Sequence, residues 1–94
     1  MAINFLDIEN RNIILFSIAD SDNLYYNDLI ESFNKKYNNL FDIYNDFRFY
    51  KNHINELIEL IEIERKKENF NLEKFYNFLL NIQQNNKTLL IIGN

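Results

Sequence analysis

The chain has no cysteine, no proline and no tryptophan, and a single glycine and a single histidine among its 94 residues. Without cysteine there is neither a disulfide framework nor a thiolate metal site, and nothing in the composition calls for an oxidising compartment. With no proline and only Gly93, the residues that usually set tight hairpins and phosphate-cradling loops are missing, which argues against an all-β domain. One histidine, His53, excludes HxxH and HExxH pairs. Glu56 stands one turn beyond it, which falls short of the two Glu-x-x-His pairs and extra carboxylates of a helical di-metal site. No apolar run approaches the roughly 18 residues of a membrane span, and MAINFLDIENR has no basic stretch ahead of an apolar one. The expectation is a cytoplasmic protein.

Catalytic chemistry is poorly provided for. The hydroxyl candidates Ser17, Ser21, Ser32 and Thr88 have one histidine among them and no identifiable acid to orient it. Carboxylate pairs such as Asp42/Asp46 and Glu56/Glu59 read more simply as solvated helix faces than as acid–base couples. The stretch DSDNLYYNDLIE, Asp20 to Glu31, matches a calcium loop at positions one, three, nine and twelve. It places Leu24 where a ligand belongs and Tyr25 where the turn demands glycine. An acidic helix N-terminus explains it better. The expectation is no enzyme, no metal and no cofactor.

What the chain does have is apolar mass: 47% hydrophobic and 16% aromatic residues are enough to give one domain over residues 1–94 a real core. Its 18 asparagines, with many Ile, Lys, Phe and Tyr, fit a genome rich in A and T and need carry no function. The net charge of −4 is uneven, with −5 over residues 1–34 and +1 over residues 35–94. Bases are few and split between Lys35/Lys36 and Arg65/Lys66/Lys67, which disfavours nucleic acid as a partner.

The clearest periodicity runs in steps of 4 and 3 from Tyr26 through Ile30, Phe33, Tyr37, Leu40, Tyr44, Phe47, Lys51, Ile54 and Ile58 to Ile61. Asn38-Asn39 is the best place to interrupt it. Helices are therefore expected from about Asn23 to Tyr37, capped by Asp22 or Ser21, and from about Leu40 to Lys67. A third fits Asn71 to about Gln84, capped by Asn71. Asn12–Ala19, NIILFSIA, is a short apolar run that periodicity does not assign; helix is preferred. Thr88–Ile92, TLLII, suits a strand or a buried tail equally, and an extended tail is preferred. The fold expected is all-α, a small bundle of four to five helices with an extended packed C-terminal tail.

The long helix would have two apolar faces. Phe47, Tyr50, Ile54, Leu57, Ile58 and Ile61, joined by Leu40 and Ile43, share the arc expected to face the core. Opposite stand Asp42, Asn45, Phe49, Asn52, Glu56, Glu59, Leu60 and Ile63, a mixture of anchors, amides and acids that suits an interface. An N-terminal segment lying across Phe49, Leu60 and Ile63 would instead make it core.

The C-terminal run FLLNIQQNNKTLLIIGN resembles the ending of some small immunity proteins of bacterial contact-dependent and related polymorphic toxin systems. Phe78, Leu79 and Ile82 match the final amphipathic helix, Asn85 or Asn86 the break, Leu89 to Ile92 the apolar run, and Gly93 the glycine. Asn94 stands where that pattern has an acid. The resemblance covers about a fifth of the chain. It implies a cytoplasmic protein that neutralises a toxin, often a basic nuclease, by occlusion. Small size, acidity and a spare helix face agree with a stoichiometric protein inhibitor. Anti-restriction and anti-CRISPR proteins share those traits, and a homodimeric helical regulatory module is the competing class. For a more basic partner protein the expected contacts are Asp20, Asp22, Asp28, Glu31, Asp42, Glu56 and Glu59 as charges, with Phe49 and Ile63 as anchors.

Overall fold

The computed structural model describes residues 3–19, 23–37, 46–66 and 72–93. In chain order they form β1 (Ile3–Asp7), β2 (Asn10–Ile18), α1 (Asn23–Lys36), β3 (Phe47–Phe49), α2 (Lys51–Lys66), α3 (Glu73–Gln84) and β4 (Leu89–Gly93). The strands make one antiparallel sheet in the order β2-β1-β4-β3, and all three helices share a core with one of its faces. The fold is α+β, and the expected all-α bundle is wrong.

The first error lies at the N-terminus. Most of Asn12–Ala19, for which helix is preferred, is strand β2, because Ile13, Ile14, Phe16 and Ile18 are β-branched or aromatic and β1 offers them a partner. Pairing sets Ile3 opposite Ile18 and Phe5 opposite Phe16, so all four sit on the helix-facing side. The hairpin dispenses with glycine. The Asp7 carboxylate accepts the Glu9 N–H at 3.0 Å and the Asn10 amide oxygen accepts the Asn12 N–H at 3.4 Å, while two register shifts flanking Leu6 absorb the mismatch.

The second error lies in the long helix, which starts at Lys51 rather than near Leu40; residues 38–45, including Leu40 and Ile43, lie outside those described. Phe47-Arg48-Phe49 alternates apolar, polar, apolar and pairs with β4, Phe47 opposite Ile91 and Phe49 opposite Leu89. A 3.6-residue period and a 2-residue period both fit Phe47. Strand pairing prevails because it buries Phe49 completely and supplies backbone partners, whereas a helix would have put Phe49 on the outer face. Tyr50, expected in the core, is exposed.

The last segment is extended, as preferred, yet it is an inner strand rather than a tail on a bundle. β4 lies between β1 and β3, and Leu89, Leu90 and Ile91 are all buried, which accounts for an unbroken apolar run. The first and last strands of the chain thus pair with each other, Phe5 opposite Ile91.

The other helices lie close to where spacing puts them. α1 buries Tyr26, Leu29 and Phe33, and α3 with the preceding Leu72 buries Leu72, Phe75, Leu79 and Ile82. α3 ends at the asparagine pair in a Schellman motif: the Asn86 N–H reaches the Gln83 carbonyl and the Lys87 N–H the Ile82 carbonyl, both at 3.3 Å. Asn86 takes the left-handed conformation this demands, with φ of 52°. Asparagine tolerates that region and a β-branched residue does not. Asn86→Val is expected to cost about 1–2 kcal/mol in urea denaturation, with Asn86→Gly neutral or slightly stabilising.

Aromatic rings tie the layers together. Phe5 of β1 has ring centroids of Phe75 at 5.3 Å, Phe78 at 5.9 Å, Phe16 at 6.0 Å and Phe49 at 6.5 Å. Phe33 of α1 meets Phe49 edge to face at 5.3 Å.

Candidate functional site

Helix α2 buries Ile54, Leu57, Ile58 and Ile61. At 100° per residue this fixes what faces outward: Glu56, Glu59 and Ile63, at i, i+3 and i+7, lie within one narrow arc. Glu59 is exposed and Ile63 is 51% exposed. Glu56 is partly buried, its carboxylate 3.1 Å from the Lys36 ammonium at the end of α1. That bond holds the Lys36 pKa above its ordinary value, with a smaller contribution from the field of Glu59. On α1, Asp28 and Glu31 are exposed, one turn apart. The two packed helices thus expose Asp28, Glu31, Glu59 and Ile63, with Lys35, Lys36 and Lys51 as exposed bases.

The expected interface is reassigned in part. Phe49 is fully buried in β3, packed on Phe5, Phe33 and Phe47, so it is core and no anchor. Leu60 is partly buried against the core. Of the three supposed anchors on the second face, Ile63 alone is left in solvent. Asp20, Asp22 and Asp42 lie outside the described residues, as do the proposed caps Ser21 and Asn71.

A second surface was not foreseen. β2 is an edge strand, and Ile13, Ile14 and Leu15 along it are 50%, 56% and 37% exposed. Edge strands in soluble proteins are usually blunted by lysine, proline or bulges. β2 carries two register shifts, and Arg11 is its only charge. The signal was present in the sequence: a run rich in isoleucine, bounded by Asn-Arg-Asn and Asp-Ser-Asp, has the length of a strand.

At one end of the sheet, the β1–β2 turn and the α3–β4 connection enclose a polar cleft of about 200 Å³, lined by Asp7, Ile8, Glu9 and Asn85–Thr88. The Lys87 ammonium closes onto the Asp7 carboxylate at 2.6 Å, which holds the Asp7 pKa below its ordinary value and raises that of Lys87. This ion pair ties β1 to the segment entering β4.

Among the described residues there is no group of three His, Cys, Asp or Glu side chains that could hold a metal, and no helix is long and apolar enough to cross a membrane. Comparison with protein-family models, with curated proteins and with solved structures finds no match to this chain.

Proposed function

We propose that the chain is a stoichiometric protein inhibitor, of the immunity-protein kind, that binds and occludes a more basic partner such as a bacterial toxin. The observation that carries this reading is the outward row of α2, with exposed Glu59, half-exposed Ile63 and a partly buried Glu56 bridged to Lys36, on a helix packed against α1, which itself exposes Asp28 and Glu31. Acids in such a surface steer a basic protein toward it, and an apolar side chain among them gives the docked complex a contact from which water is excluded. The residual −4 charge extends the same bias to the whole molecule. Ile63→Asp tests the contact without touching the core: it should leave thermal melting unchanged while raising the dissociation rate of the partner complex at least severalfold. An unchanged dissociation rate would remove Ile63 from the interface.

A second reading, a homodimeric module, is favoured by the exposed run on β2. Two such edges can pair antiparallel about a two-fold axis, each covering the other's Ile13–Leu15. Light scattering separates the two readings. The inhibitor is expected to be monomeric when isolated, and a dimer converted to monomer by Ile14→Lys would instead establish strand pairing.

A further inference from the structure

His53 occupies the third position of α2, where its side chain can reach back to the residue that opens the helix. The Ile54 N–H donates to the Tyr50 carbonyl at 3.1 Å, which makes Tyr50 the N-cap, and the Tyr50 N–H in turn donates to Nδ1 of His53 at 3.0 Å. This is the returning half of a capping box, a position usually held by Glu or Gln. A backbone N–H can only donate, so Nδ1 must carry a lone pair and the ring proton must be on Nε2.

The imidazole also plugs a corner where three elements meet. Its centroid lies 4.9 Å from Tyr37 at the end of α1, 6.0 Å from Phe49 of β3, 5.9 Å from Tyr50 and 6.1 Å from Phe33. Among the described residues, the titratable and charged groups near it are the phenols of Tyr37 and Tyr50, Lys36 beside Tyr37, and, on its own helix, Lys51 and Glu56. Glu56, one turn along, is already paired with Lys36, whose ammonium lies 5.9 Å from the Tyr37 ring. A positive charge on His53 would be added to Lys36 and would stand at the positive end of the α2 dipole.

We propose that His53 is a pH-operated latch: neutral, it caps α2 and holds the α1–β3–α2 corner closed; protonated, it loses its bond to Tyr50 and lets that corner open. Partial burial displaces its pKa in the same direction, below the ordinary value of 6.5. A lowered folded-state pKa means that the stabilisation is complete above about 6.5, the unfolded value, and is lost as pH falls through the folded value.

The test compares wild type with His53→Gln, which keeps the capping acceptor and cannot titrate, and with His53→Ala, which has none. Thermal melting from pH 8 to pH 5 should show wild type losing several degrees relative to His53→Gln as pH falls, because other carboxylates titrate alike in both. His53→Ala should start lower at pH 8 and show no such relative loss. In the wild-type protein, nitrogen shifts should report the Nε2–H tautomer at pH 8, and exchange of the Tyr50 amide should accelerate on acidification. Parallel melting curves for wild type and His53→Gln would overturn the proposal. So would a His53 titration midpoint at or above 6.5, a measurement that decides the matter even if both variants fail to fold.

Discussion

Phe49→Ala is expected to destabilise the protein by about 3–5 kcal/mol, the usual cost of emptying a fully buried phenylalanine site. The ring is completely enclosed and contacts Phe5 of β1, Phe33 of α1 and Phe47 of its own strand, so its removal leaves a cavity where sheet and helices meet. Total stabilities run to about 5–15 kcal/mol, so a large share of the fold's stability depends on this side chain. For a chain of this size each kcal/mol moves the melting temperature by about 4–8 °C, and the drop should exceed 10 °C. Differential scanning calorimetry reads it directly. A variant that melts with the wild type would place Phe49 on the surface and undo the assignment of β3.

The second large effect concerns association with a basic partner. Reversing two exposed acids, Glu31→Lys with Glu59→Lys, changes the local charge by four units while leaving the Lys36–Glu56 bridge in place. Association at low salt should slow by about tenfold or more, because long-range attraction sets the encounter rate of such complexes. The difference should shrink as ionic strength rises and the Debye length falls toward about 8 Å at 0.15 M. Stopped-flow mixing at several salt concentrations measures both. Equal rates at all salt concentrations would show that these acids are only a solvated face.

Much of the helical part of this molecule was legible in its sequence. In α1, α2 and α3 the buried residues recur at three and four, and nothing competes with that spacing. Of the second face that the same period gives the long helix, Glu59 and Ile63 are exposed, Glu56 and Leu60 are partly buried and Phe49 is core. The strands were harder for identifiable reasons. Phe47 satisfies both periods, so a rule that extends a helix as long as its stripe continues absorbs β3 and misplaces Phe49. In β2 only Phe16, Ser17 and Ile18 alternate in burial, since the preceding residues are all exposed, and an edge strand of that kind gives no periodic signal. The lack of proline and the single glycine argue against an all-β domain without forbidding one hairpin. Asp7 and Asn10 supply from their side chains the bonds that shape the turn, and register shifts supply the slack. Pairing of β1 with β4, eighty-odd residues away, is a long-range contact that no local pattern encodes.

The central claim is that the outer surface of α1 and α2 binds a more basic protein in a fixed stoichiometry. It is tested most directly by affinity capture from the native host followed by light scattering and titration of the captured protein against wild type and Glu31→Lys/Glu59→Lys. The account predicts a one-to-one complex with a protein of net positive charge, weakened by salt and by the double reversal. Capture of nothing but further copies of this chain, or of a partner whose binding ignores both salt and the reversal, would contradict it.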